Sequence, residues 1–243
     1  MKKEYFRWYS PSLGKDMEIN VYGHAGRPLL VFPAQGGSFY EFEDFHMIDA
    51  IADFIESGRV MVFTVGSVDN ESWLNESLSF ADRVNRHNAY DAYNIFEVVP
   101  FIKNMSNRCD IITTGCSFGA YHAMNFFLRH PDAVNGVISL SGLYQLSYFL
   151  GDYVDDNVYF NYPILFLPNC NDPWFLDRYR SSQIIACCGQ GAWEDEMIAD
   201  LRILDQIFRD KGIPAWCDFW GYDVNHDWPW WRKQLPYFLG HLV

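Results

Sequence analysis

The sequence predicts an α/β fold of three layers, a mainly parallel central sheet with helices on both faces. Short apolar runs alternate with stretches of helical periodicity along most of the 243 residues. Repeated strand-helix units of this length imply a mainly parallel sheet covered on both faces, because parallel neighbours require crossover connections.

Leu29 to Phe32 is the first such run, ended by Pro33 and the turn Gln35-Gly36-Gly37. Met47, Ile48, Ile51, Phe54 and Ile55 then recur at helical spacing until Gly58, a residue that suits a helix end. Val60 to Val65 reads as a strand, Ala89 to Met105 as a helix interrupted by Pro100, and Ile111 to Thr114 as the next strand, running into a glycine. Ala120, Ala123, Met124 and Phe127 mark one face of a helix stopped near Pro131, and Val137 to Leu140 returns as a strand. Gln183 to Cys188 is another strand. Met197, Ile198, Leu201, Leu204, Ile207 and Phe208 then make the most regular amphipathic helix in the chain, closed by Lys211-Gly212 and Pro214. Ala215 to Trp220 completes the strands, and Pro229 is placed to start a terminal helix.

Length and 49% hydrophobic content suit one domain over residues 1–243, with a lid-like segment expected at about 144–180. With 31 acidic against 18 basic residues the formal charge is -13. Such a surface repels phosphate backbones and anionic headgroups, so neither nucleic acid nor membrane is expected as a partner. The opening residues Met1 to Trp8 lack an apolar core, and a cytoplasmic location is expected. Six cysteines show no metal-type pairing and call for no disulfide framework. A homo-oligomer is left open.

The chemistry concentrates in Gly115-Cys116-Ser117-Phe118-Gly119, a G-x-S-x-G sequence where a strand ends and a helix begins. A sharp turn there pushes Ser117 outward as a nucleophile. It also aims the Phe118 N–H at the reaction centre, where it can stabilise an oxyanion. The Gln35-Gly36-Gly37 loop stands where a second donor is needed, from Gln35 or Gly36. The competing reading makes Ser117 an ordinary turn serine capping the next helix. Cys116, one position before the tip, is read as packing.

A serine on such a turn needs a base, and in α/β-hydrolases the chain order is nucleophile, acid, histidine. His226 fits that order, in the loop Gly221 to Trp231 after the last strand. His122, on the helix following Ser117, is read as structural.

Together, residues 115–119, the Pro33-Ala34-Gln35-Gly36-Gly37 loop and His226-Asp227-Trp228-Pro229-Trp230-Trp231 resemble the putative-esterase family, the esterase D and antigen 85-like branch of the α/β-hydrolases. The resemblance runs from about Leu29 onward, and the histidine-to-tryptophan ending is its most specific part. It implies an α/β-hydrolase fold, attack by Ser117, His226 as general base and an acid after the Gln183 to Cys188 strand. Many relatives carry Gly-x-x-Asp there, whereas Gly189-Gln190-Gly191-Ala192 ends in alanine. Some relatives use a Glu in this loop, so Glu194 is the first choice for the acid, Asp195 the second, and Asp172 and Asp223 outsiders. Acidic residues at a helix start also complement its dipole, which is the competing reading.

The expected function is serine carboxylic-ester hydrolysis through an acyl-enzyme, on a small-molecule or carbohydrate-linked ester. An acyltransferase using the same residues, or a non-catalytic binding protein on the same scaffold, are the alternatives. Trp73, Trp193 and Trp228 are expected to line the substrate pocket, although large aromatics are commonly core. No metal or nucleotide fingerprint occurs, so neither a metal nor another cofactor is implied.

Overall fold

The computed structural model describes residues 1–243. Eight strands form one sheet: β1 (Lys3–Ser10), β2 (Lys15–Tyr22), β3 (Arg27–Phe32), β4 (Val60–Val65), β5 (Ile112–Cys116), β6 (Gly136–Leu140), β7 (Gln183–Cys188) and β8 (Ala215–Phe219). Their spatial order is β1-β2-β4-β3-β5-β6-β7-β8. From β4 through β3 to β8 every pairing is parallel, while β1 and β2 add an antiparallel edge.

Because side chains alternate across a strand, the central runs feed two cores at once. Leu30 and Phe32 of β3 join one cluster, with Ala123, Met124 and Phe127 of the helix Phe118–Arg129 and Leu201, Leu204 and Phe208 of the helix Asp195–Asp210. Leu29 and Val31 join the other, with Met47, Ile48 and Ile51 and with Trp231, Leu235, Phe238 and Leu239 of the terminal helix Trp228–Leu242. This is the three-layer α/β architecture expected. No helix is long and apolar enough to cross a membrane.

The structure adds one element and corrects two expectations. The hairpin β1–β2 is absent from the sequence reading; β1 is an edge strand whose residues alternate between exposed and half-buried, so it lacks a continuous apolar run. The helix expected over 89–105 begins earlier, at Phe80, where Ser79 accepts the Asp82 N–H as N-cap. It widens into a π-helical turn over Asn94–Val98 and continues as Val99–Ser106. Pro100 falls in the first turn after that bulge, where a proline is tolerated, so the path is not interrupted there. The periodic stretch from Met47 is two short helices, Met47–Ala50 and Ala52–Glu56, parted at Ile51.

The segment between β6 and β7 contains short helices at Ser147–Leu150, Asp156–Tyr159, Pro163–Phe166 and Pro173–Ser181. It is tied down by Arg83 donating to the Phe149 carbonyl (3.1 Å) and Tyr121 donating to that of Asn161 (2.9 Å).

Candidate active site

β5 lies at the centre of the sheet between β3 and β6, and the chain turns directly from it into the helix Phe118–Arg129. Ser117 occupies the turn at φ 57°, ψ −123°, a conformation that costs a non-glycine residue about 1–3 kcal/mol. The turn is tight enough that its flanking positions exclude a side chain. A Cβ on Gly115 would lie 2.3 Å from the Gly119 carbonyl oxygen, and one on Gly119 would lie 2.4 Å from that of Pro33. The second distance also presses the turn against the loop after β3.

His226 reaches Ser117 from the loop after β8. Its Nε2 is 2.9 Å from Ser117 Oγ, and its Nδ1 is 3.2 Å from Glu194 Oε2. Since a carboxylate only accepts, Nδ1 carries the proton and Nε2 is left to accept from the serine hydroxyl. The histidine loop is held against the acid loop by main-chain bonds, Gly191 N–H to Val224 O (2.8 Å) and His226 N–H to Ala192 O (3.0 Å).

Glu194 is 1% exposed. Besides His226, its carboxylate accepts from Ser141 Oγ (2.7 Å), the Gly189 N–H (3.3 Å) and Cys188 Sγ (3.2 Å). Burial, with Glu194 beside it, pushes the Cys188 thiol up, so it stays protonated and can donate. Asp195, the second choice, is exposed in the first turn of the next helix, where it complements the dipole. Asp172 caps the helix Pro173–Ser181 by accepting from Trp174 N–H, and Asp223 is exposed. Neither bonds His226. Cys116 is fully buried and its thiol is pushed well up by burial, consistent with packing.

The backbone donors divide cleanly. Neither Phe118 N–H nor Gln35 N–H has a hydrogen-bond partner within the protein. Gly36 N–H donates to Asp69 Oδ2 at 2.9 Å, so of the two residues considered for the second donor Gln35 is the one available. Asp69 was not singled out by the sequence, since it opens a single 3₁₀ turn, Asp69–Glu71, after β4 with no motif to mark it.

The tryptophans behave differently from one another. Trp73 is 0% exposed and its indole donates to His87 Nδ1 at 3.1 Å, so it is a core residue and no pocket wall. Trp193 is 81% exposed and adopts φ 68°, an unusual conformation for a bulky side chain. Trp228 stacks on Phe45 (4.3 Å, 7°) and packs edge-on against Trp231, which in turn packs against His226. A cavity of about 520 Å³ lies elsewhere, at the far end of the helix that begins after Ser117, among Leu128, His130, Phe166 and Tyr179.

The family model described as "Putative esterase" matches residues 10–242. The chain belongs to this family and is an enzyme of the serine esterase class. Its fold is shared by a ferulic acid esterase at 18% identity and TM-score 0.75, covering 100% of this chain and 99% of that one. An S-formylglutathione hydrolase from Agrobacterium tumefaciens matches at 11% and 0.72, covering 99% and 95%. MPT51 of Mycobacterium tuberculosis matches at 14% and 0.71, covering 100% and 98%. No curated protein matches the sequence significantly.

Proposed function

We propose that the protein hydrolyses carboxylic esters through an acyl-enzyme formed on Ser117. The observation that carries this reading is the relay from Ser117 Oγ through His226 to a buried, fourfold hydrogen-bonded Glu194. In it, His226 takes the Ser117 proton as the hydroxyl attacks the ester carbonyl, returns it to the leaving alcohol, and then activates a water that releases the acid. Glu194 holds the imidazole in the required tautomer and stabilises the imidazolium. The Phe118 and Gln35 N–H groups receive the negative oxygen of each tetrahedral intermediate. Water is the acceptor in this reading because the family is one of esterases.

For the substrate we propose a small-molecule or carbohydrate-linked ester, with the Phe45–Trp228 stack and Trp193 as its aromatic surfaces. Structural neighbours named for ferulic acid esters and for S-formylglutathione place no single acyl group in front. The deciding experiment treats wild type and Ser117→Ala with a fluorophosphonate probe and with p-nitrophenyl acetate. Wild type should be labelled and turn over; the variant should do neither, with turnover down at least about 10³-fold. Wild-type activity in Ser117→Ala would end the proposal. Comparing feruloyl, acetylated-sugar and short p-nitrophenyl esters then ranks the substrates.

A further inference from the structure

The two unpartnered amides assigned above to the oxyanion belong to separate parts of the chain. Phe118 begins the helix after the serine; Gln35 sits in the loop after β3. For both to point at one oxygen, those parts must be fixed relative to each other within a few tenths of an ångström.

One buried side chain bridges them. Asp69, 1% exposed, accepts the Gly36 N–H on Oδ2 (2.9 Å) and faces His122 Nε2 with Oδ1 (2.9 Å). His122, 2% exposed, stands five residues after Ser117 on the same helix and packs edge-on against the Phe118 ring. A carboxylate only accepts, so His122 donates from Nε2. The bond path thus runs from the loop, through Asp69, to the helix that carries the other donor.

Within the loop, the amides on either side of Gln35 are both held from outside. Ala34 N–H donates to Glu41 Oε2 (2.7 Å) and Gly36 N–H to Asp69, while Gly37 N–H closes the turn onto Ala34 O (2.9 Å). Gly36 takes φ 68° at the third position of that turn. With planar peptides pinned on both sides, the Gln35 N–H has little rotational freedom left.

We infer that Asp69 and His122 form a positioning pair that sets the Gln35 N–H against the Phe118 N–H, and so supports the transition state without touching the substrate. The inference rests on the acyl-enzyme reading of Ser117. Loss of the pair lowers kcat and leaves KM largely alone, because the oxyanion exists only after attack.

The test compares wild type, Asp69→Asn, His122→Phe and His122→Gln, with active sites counted by fluorophosphonate labelling taken to completion. Asn at position 69 turns one acceptor into a donor, and Phe removes the donor at position 122. Both should lower kcat per labelled site about 10- to 100-fold, below the loss of a whole oxyanion donor, with KM within about threefold. Affinity for an aryl boronic acid, which forms a tetrahedral adduct on the serine, should fall by a similar factor. His122→Gln retains an N–H near the same place and should recover most of the rate. If kcat per labelled site stays within twofold in both Asp69→Asn and His122→Phe while melting temperature drops, the pair is structural only and the inference fails. A loss expressed in KM alone overturns it as well. Should Asp69→Asn not fold, the two His122 variants decide between these outcomes. Wild type that takes no label would instead defeat the Ser117 reading itself, and this inference with it.

Discussion

Ser141 Oγ donates to Glu194 Oε1 at 2.7 Å while receiving the Trp231 indole N–H at 3.0 Å. The hydroxyl thus links the buried carboxylate to the terminal helix whose first residues follow His226. Ser141 itself adopts φ 53° just past β6, so the backbone is held in an unfavourable well to place that oxygen.

Removing the hydroxyl therefore has two separable effects. Ser141→Ala leaves the Trp231 N–H buried without a partner, at about 1–3 kcal/mol of stability, and lets Glu194 loosen behind His226. Ser141→Gly loses the same bonds but relieves the left-handed strain. Both variants should lose a similar few-fold in kcat, while the glycine variant melts at the higher temperature. Equal melting temperatures would show that the φ angle carries no strain.

The neighbouring acids give a sharper contrast. Glu194→Gln keeps the shape but offers an amide where His226 Nδ1 must donate, and a wrong tautomer in such a relay lowers kcat by about 10³- to 10⁴-fold. Asp195→Asn removes only a first-turn charge and should keep turnover within about twofold, at a stability cost of about 0.3–1 kcal/mol. Comparable losses in the two variants would remove Glu194 from its assigned role.

The same pair marks where sequence reading stops. The strand-turn-helix around Ser117 and the position of His226 after β8 were legible because apolar periodicity and chain order are local signals. Choosing Glu194 over Asp195 needed the family resemblance, since adjacent acids differ only in which way the loop turns them. The Gln35 and Gly36 amides were indistinguishable until Asp69, 33 residues beyond Gly36, was seen to engage one of them. Trp73 misled for a related reason: nothing in its neighbourhood announces that His87, 14 residues later, accepts its N–H inside the core. Long-range hydrogen bonds have no periodicity to read.

The contact between turn and loop predicts a strong effect from one methyl group. In Gly119→Ala the new Cβ would meet two carbonyl oxygens, of Phe32 at 2.5 Å and Pro33 at 2.4 Å, and neither is a flexible side-chain end. Overpacking of this kind costs about 1–3 kcal/mol or more, and relief requires the loop carrying Gln35 to move away from the helix carrying Phe118. Fluorophosphonate labelling of the folded fraction should slow at least about tenfold, because phosphonylation also places an oxygen against those donors. Unchanged labelling would mean that the loop yields without disturbing the amides.

Glu41 supplies the pH dependence. Burial pushes its carboxyl up from the ordinary 4.5 to about 7, with Asp69 and Asp44 adding in the same direction and the Ala34 N–H opposing them. The folded state therefore holds this proton more tightly than the unfolded chain between about pH 4.5 and 7. Its contribution to stability falls as pH rises through that window and is constant above it. Glu41→Gln cannot titrate, yet its side-chain carbonyl still accepts the Ala34 N–H. Urea midpoints at pH 5, 6, 7 and 8 should show the variant gaining on wild type as pH rises, with the difference levelling off above pH 7. A difference that is flat across the series would mean that Glu41 titrates at its ordinary value in the folded protein, and that the loop bearing Gln35 is held by an ordinary surface carboxylate.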